Sequence, residues 1–344
     1  MKTAPLPLVS VLTPVYNGAE YLAECIESVL AQTYPNWDYT IVNNCSTDES
    51  LAIARKYAAR DPRIRVVTND RFLRIIENHN RTIRQISLES KYCKFVFGDD
   101  WLYPTCIEEM VRIAEENPTV GLVSAFTMDG QAVLNTSPIS QNALWRGLPH
   151  PSYRVAGRDV CRNELLRDGG YVLGTMTSLL VRSDLIRKRD VFFNEPHLHA
   201  DLEACLDVLR ESDFGFAQQV LSCSRPRKES TTTFANSLDV IVLGRFAVFL
   251  KYGHVFLDDN ERRKRLTEMR RVYYRVLAHN VLRLRPEQYW KYHKDTLAAF
   301  GYRIDPLLFA RSMAAEVALH LLHPINAFRR AWHWWYRRLT GTSG

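Results

Sequence analysis

The chain has 344 residues, 46% of them apolar, enough to bury a full core in one large or two modest domains. A net charge of +7 and a pI near 9.0 point to an anionic partner: nucleotide phosphates, nucleic acid or an acidic lipid surface. Seven scattered cysteines without a C-x-x-C favour reduced thiols in a cytosolic protein, prolines at 5, 7 and 14 break any signal-peptide core, and no run of about 18 uncharged apolar residues exists to span a bilayer.

Leu8–Thr13 (LVSVLT) predicts a strand, ended by the loop signal Pro14-Val15-Tyr16-Asn17-Gly18. Leu22, Cys25, Ile26, Val29 and Leu30 then fall at helical spacing, closed near Tyr34-Pro35. Tyr39–Val42 is a second strand, followed by Asn43-Asn44-Cys45-Ser46, and Ser46-x-x-Glu49 has the form of a capping box for a helix through Tyr57. Ile64–Thr68 is a third strand, and Ile75–Leu88 a helix containing Asn78-His79-Asn80-Arg81. A fourth strand, Tyr92–Phe97, stops at Gly98 and delivers Asp99 and Asp100, with Trp101-Leu102 directly behind. A helix over Cys106–Glu116 and a strand over Val120–Phe126 close this half.

Residues 127–156 are turn-rich and read as an insertion. Gly174–Arg182 predicts a strand running into the cap Ser183-Asp184, and Asp201 opens a helix with Leu202, Leu206 and Leu209 on one face. Phe214–Ala217 and Gln219–Ser224 predict two short strands before a basic loop, Arg225–Thr231. From about Ser237 the chain turns helical and basic. Past Pro324, Ile325, Phe328, Trp332, Trp335 and Leu339 form one stripe bordered by Arg329, Arg330, Arg337 and Arg338. That pattern suits a helix lying in an anionic membrane interface, or one docked on its own core or on another copy.

Strands alternating with helices imply βαβ units and a mostly parallel sheet. Such a sheet gathers the polar loops after strands one, two and four into one crevice at the strand C-terminal ends, where open α/β sheets bind ligands. Paired carboxylates there, with no basic neighbour in sequence, suit a hard divalent cation, which takes one or two protein carboxylates plus substrate phosphates. A Gly-Asp turn capping the next helix is the plainer reading of the same residues. Neither G-x-G-x-x-G nor a P-loop is present. His197 and His199 lack a third ligand in sequence and read as incidental.

Three segments, VSVLTPVYNG at 9–18, AQTYPNWDYTIVNNCSTDES at 31–50 and GDDWLYP at 98–104, resemble the family 2 inverting glycosyltransferases with a GT-A fold, of the bacterial polysaccharide and O-antigen type. The resemblance implies a GT-A domain over residues 1–235, a Rossmann-like, mostly parallel sheet flanked by helices. A helical basic region over 236–344, whose composition suits membrane-surface association, follows that domain. It implies transfer of a sugar from a nucleotide-diphosphate donor, UDP-sugar first among them, to a glycan or polyprenyl-linked acceptor, assisted by Mg²⁺ or Mn²⁺. By position it places Thr13, Pro14, Val15 and Tyr16 at the nucleoside, Asn44 at the base, Asp99 at the ribose or sugar, and Asp100 on the metal. Asn80 is a further candidate for the donor. HADLE (199–203) resembles the family's acidic motif and makes Asp201 the candidate general base, with helix capping as its plainer role. RPRKES (225–230) resembles the loop that folds over the donor, placing Arg225 and Arg227 near its phosphates. The sequence departs from the family where Asn43-Asn44-Cys45 replaces Asp-Asp-Gly, Phe97 replaces an acid, Ala200 replaces a glutamate and Arg227 replaces a histidine. The expected setting is the cytoplasmic face of the cell membrane, in cell-envelope synthesis. The alternative is a non-catalytic nucleotide- or nucleic-acid-binding protein, disfavoured because basic and aromatic residues interleave only in the tail.

Overall fold

The structure, a computed structural model, describes residues 5–129, 132–134, 152–166, 173–194, 199–225 and 238–322. The chain divides into two compact units, Met1–Ala235 and Asn236–Gly344.

The first unit is organised on one sheet. Its strands are β1 (Val9–Val15), β2 (Trp37–Asn43), β3 (Ile64–Thr68), β4 (Tyr92–Phe95), β5 (Trp101–Leu102), β6 (Val120–Asp129), β7 (Ala132–Leu134), β8 (Ser152–Val155), β9 (Leu179–Arg182) and β10 (Asp213–Ser224). The order across it is β3-β2-β1-β4-β9-β6-β10-β5, with β7 on β6 and β8 on β10. β1 to β4 run parallel, β9 enters antiparallel between β4 and β6, and β6 and β10 resume the first direction. β1 is buried along its whole length, which is why its sequence is a near-continuous apolar run rather than an alternation. The helices of this unit are α1 (Ala19–Leu30), α2 (Ser50–Ala58), α3 (Ile75–Ile83), α4 (Cys106–Glu116), α5 (Gly157–Leu166), α6 (Ser183–Arg187) and α7 (Ala200–Leu209). Leu22, Cys25, Ile26 and Val29 of α1 and Ile107, Met110, Val111 and Ile113 of α4 join Val9, Val11, Tyr39 and Ile41 in one core.

Several local expectations change: the helix expected over Ile75–Leu88 ends at Ile83, and the stretch 127–156 adds β7 and β8 to the sheet. The fourth strand ends at Phe95 rather than Phe97, because the Phe97 N–H donates to the Thr177 hydroxyl (3.2 Å) instead of to a strand. The first half of Gly174–Arg182 is a 3-10 turn, Met176–Ser178, and only Leu179–Arg182 is strand. The two short strands at 214–224 are one strand, β10, with register shifts on either side of Val220. The Ser46-x-x-Glu49 box does not form, since α2 begins at Ser50 and Ser46 Oγ accepts from the Asn17 N–H (3.1 Å).

The polar run at 46–50 instead caps α1. Asp48 Oδ2 accepts from Ala19 N–H and Ser50 Oγ from Gly18 N–H, both at 2.9 Å, so donors left over at the start of α1 are satisfied from the neighbouring loop. Asn17 reciprocates by accepting from Thr47 N–H (2.8 Å).

The second unit holds α8 (Val240–Phe256), α9 (Asp259–Leu282), α10 (Glu287–Ala299) and α11 (Pro306–Leu322) among its described residues. Phe246 stacks on Tyr273 with centroids 5.0 Å apart. His293 Nε2 donates to Leu238 O (2.9 Å), which leaves Nδ1 to accept from the Tyr273 hydroxyl (2.7 Å). Asp239 accepts from Asn280 (2.8 Å) and Tyr289 (3.0 Å), and burial lowers the His293 pKa, so this polar knot holds a neutral imidazole.

Asp48→Ala is expected to destabilise the first unit by about 1 kcal/mol, the usual cost of a lost helix cap. Thermal unfolding followed by circular dichroism should show that unit's midpoint falling by roughly 2–4 °C.

Candidate active site

The parallel register sets the site. Val15 pairs with Asn43 and Leu12 with Phe95, so the ends of β2 and β4 flank the end of β1. Asn44 N–H donates to Val15 O (2.8 Å) and Val96 N–H to Leu12 O (2.9 Å), which carries this adjacency past the strands. Gly98 lies against Pro14 and Val15, a Cβ there falling 3.5 Å from Val15 Cγ2. The three polar loops read from the sequence therefore do meet.

Asp100 sits at the centre of the rim, only 3% exposed. Its Oδ2 accepts from the Thr177 hydroxyl (2.5 Å) and its Oδ1 from the Arg225 N–H (3.1 Å). Burial, and then the neighbouring Asp99 charge, push its pKa up to about 7 against the pull of those hydrogen bonds. Arg225 is clamped over it. Its guanidinium carbon lies 4.6 Å from the Tyr21 ring and 4.8 Å from the Trp101 ring, it pairs with Glu24, and its Nε donates to Asp99 O (3.4 Å).

These residues fit a hard divalent cation. Asp100 accepts hydrogen bonds from Thr177, Ser224 and the Arg225 N–H and lies beside a second carboxyl, Asp99, so its burial leaves negative charge that a cation would offset. No group of three or more His, Cys, Asp and Glu suited to a metal exists among the described residues, so such an ion would draw its remaining ligands from substrate oxygens and water.

Several sequence-derived roles change at the level of the side chain. Thr13 is fully buried, its hydroxyl 2.9 Å from Tyr39 OH and facing Cys25, and Pro14 and Val15 are buried with it. Of the four residues expected at the nucleoside, Tyr16 alone is exposed, at 50%, edge-to-face with the equally exposed Phe72 at 4.8 Å. Asn44 is committed to the fold. Its Oδ1 accepts from Leu73 N–H and from Asn69 Nδ2, and its Nδ2 donates to Leu73 O, all at 2.9 Å. Asn80 does the same for another loop, accepting from Phe193 N–H (2.9 Å) and donating to Phe193 O (2.7 Å). Both amides bond the N–H and the C=O of one residue, Leu73 and Phe193 respectively.

Asp201 lies in the first turn of α7 and is not its N-cap, which is His199. Its Oδ1 accepts from the next N–H, Leu202 (2.8 Å), and lies 3.8 Å from His199 Nδ1. Its charge reaches His79, whose ring packs 5.4 Å from Phe97, 5.6 Å from Phe95 and 5.7 Å from Phe193. Burial lowers the His79 pKa to about 4, only partly opposed by Asp201, so the imidazole is neutral at pH 7. Asp201 thus borders the aromatic cluster at the end of β4. Arg227 and His197 lie outside the described residues. Sequence reading missed Thr177, Phe72 and His79, whose partners are supplied from distant segments.

Residues 10–176 match the profile of glycosyl transferase family 2. The chain is 26% identical over 226 residues to a protein assigned as a glycosyltransferase, EpsE of Bacillus subtilis, covering 63% of this chain and 78% of that one. Among solved structures it is similar to S. aureus TarS 1–349 in complex with UDP-GlcNAc, with a TM-score of 0.60, 15% identity, and coverage of 86% of this chain and 80% of that one. It is also similar to the mannosyltransferase PcManGT from Pyrobaculum calidifontis in complex with GDP-Man and Mn²⁺, with a TM-score of 0.50, 16% identity, and coverage of 93% and 82%. At these identities the structural likeness shows the fold, a GT-A arrangement.

A carboxyl whose pKa is raised on folding costs stability once ionised. The cost is absent below the ordinary aspartate pKa near 4, grows as pH rises, and is complete above about 7. In EDTA, Asp100→Asn should therefore leave the melting temperature nearly unchanged at pH 4.5 and raise it relative to the parent at pH 8, by differential scanning fluorimetry.

Proposed function

Since this chain belongs to glycosyl transferase family 2, we propose that it moves a sugar, with inversion, from a nucleotide diphosphate to a hydroxyl of a growing polysaccharide or polyprenyl-linked glycan. It is a glycosyltransferase of the bacterial polysaccharide type, and a non-catalytic nucleotide or nucleic-acid binder is not the reading this favours. The observation that carries the reading is the buried Asp100 carboxyl beside Asp99, at the end of the strand next to β1. Residues 1–235 form the catalytic domain in this reading.

Asp100 is the anchor for Mg²⁺ or Mn²⁺, with Asp99 on the ribose or sugar. A divalent cation held there neutralises the charge that leaves with the diphosphate. Tyr16 and Phe72 offer the two exposed aromatic faces at the rim for the base, and a UDP-sugar is the donor class favoured by the UDP-GlcNAc bound to TarS. Arg225 reinforces the phosphate side, its guanidinium stacked on Tyr21 and Trp101 and paired with Glu24 while its N–H donates to Asp100. Arg227 belongs to the same basic segment.

Asp201 takes the acceptor proton. Displacement through an oxocarbenium-like state needs one carboxylate on the face opposite the leaving group, and a single displacement inverts the anomeric carbon. His79, held neutral by its aromatic surroundings, places no positive charge beside the Asp201 carboxylate at pH 7.

Residues 236–344 contribute contact with an anionic membrane surface. No helix among the described residues is long and apolar enough to cross a membrane. α11 nevertheless exposes Leu307, Val317, Leu319, Leu321 and Leu322, and the Trp and Arg stripe of residues 325–339 follows in sequence.

A panel of nucleotide sugars, assayed for transfer and hydrolysis with Mn²⁺ and with EDTA, tests the activity. One donor should turn over with Mn²⁺, Asp100→Ala should abolish the metal response, and Asp201→Asn should lower kcat by roughly 10²–10⁴-fold. No turnover of any donor, together with indifference to Asp100→Ala, would overturn the reading. For the membrane, a chain ending at residue 323 should move from pellet to supernatant when sedimented with phosphatidylglycerol vesicles. Equal partitioning of both forms would reject that contact.

A further inference from the structure

Lys94 is fully buried in β4, in register with Val11 of β1 and Leu180 of β9, and forms no ion pair among the described residues. Desolvating an ammonium costs several kcal/mol, and an apolar residue of similar volume would fill the same space without that cost. The ammonium spends its hydrogens on the turn ahead of β9. It donates to Thr177 O and to Leu179 O (3.2 Å), with Met110 Sδ 3.8 Å away. Burial lowers the Lys94 pKa below the usual lysine range, and Asp100 is among the groups that oppose this.

The pinned turn holds the Thr177 side chain at the rim. Its Oγ1 accepts from Phe97 N–H (3.2 Å), which orients the hydroxyl hydrogen toward Asp100 Oδ2 at 2.5 Å. β4 and the loop that follows it therefore carry the two ends of one circuit: Lys94 grips the turn, the turn presents Thr177, and Thr177 fixes a carboxylate that follows Lys94 by six positions in the chain. Ser224 and the Arg225 N–H donate to the same carboxylate, so Thr177 acts as one of three protein groups that set its angle.

We propose that Lys94 is a positioning residue for the cation and diphosphate, acting through Thr177 to hold the carboxylate of Asp100 at a fixed angle. The inference rests on the reading of Asp100 given above. Groups that orient a metal-binding carboxylate commonly contribute about 10–100-fold to metal affinity.

Mn²⁺ affinity, measured by electron paramagnetic resonance of the free ion with Mn²⁺ alone and with Mn²⁺ plus UDP, reads the effect without turnover. Lys94→Met and Thr177→Val should each weaken Mn²⁺ binding by about 10–100-fold. Thr177→Ser, which keeps the hydroxyl, should stay close to the parent. The double variant Lys94→Met/Thr177→Val should bind no more weakly than the poorer single variant, because both break one circuit. Asp100→Asn is the reference. If it weakens Mn²⁺ at least tenfold while Lys94→Met and Thr177→Val stay within twofold, the positioning role is overturned and the metal reading stands. If Asp100→Asn also leaves Mn²⁺ binding unchanged, both are overturned. Should Lys94→Met fail to fold, parent-like Mn²⁺ affinity in Thr177→Val still overturns the proposal, because Lys94 acts only through that hydroxyl, and Lys94→Gln, which keeps a donor for the two carbonyls, is then expected to fall between the parent and Thr177→Val.

Discussion

The site depends on β1 being hydrogen-bonded along both edges in parallel register, to β2 on one side and β4 on the other. Parallel pairing places like ends together, so whatever follows these strands must share one edge of the sheet. A polar group delivered there is half inside a low-dielectric layer before any ligand arrives. Asp100 shows the result: a carboxyl so poorly solvated that its proton affinity resembles that of histidine. The energy stored in that mismatch is what a cation of the right charge releases.

Much of the first half of the fold was legible because its signals are local. LVSVLT, the α1 stripe and the Tyr92–Phe97 run each carry their period within a few residues, and their alternation implies the parallel half of the sheet. What was not legible depends on partners far along the chain. The end of β4 is set by a hydroxyl 80 residues away. β9 looks like any apolar strand, and nothing in its own sequence announces that it enters antiparallel. The site was legible as a place: Asp100, Arg225 and Tyr16 lie at the rim, while the side chains of Thr13, Asn44 and Asn80 hydrogen-bond within the fold.

The asparagines show why side-chain partners are hard to read from sequence. An amide can bind a ligand edge or a peptide edge with the same pair of atoms, and sequence does not say which. Here Asn44 fixes the segment at Leu73, next to the exposed Phe72, and Asn80 fixes Phe193, beside His79. Each amide therefore acts on the site at one remove, by holding the loop that carries an aromatic ring. Lys94 belongs to the same class of hidden support, since an isolated lysine in a strand reads as an ordinary edge or surface residue until its burial is known.

The antiparallel β9 strand has a consequence for how the chain is made. The stretch that matches the family profile stops at residue 176, three positions before β9 begins. A nascent chain of that length has completed β4 and β6 but lacks the strand that joins them, so two interior edges stay open to solvent and to one another. The sheet cannot close until residues 179–182 have left the ribosome, and its far side also waits for β10 at 213–224. Folding of this domain is thus committed late and by long-range pairing, a regime in which contacts form slowly and exposed strands invite association. The Thr177 hydroxyl arrives with that same segment, so Asp100 gains its neighbour in the step that seals the sheet.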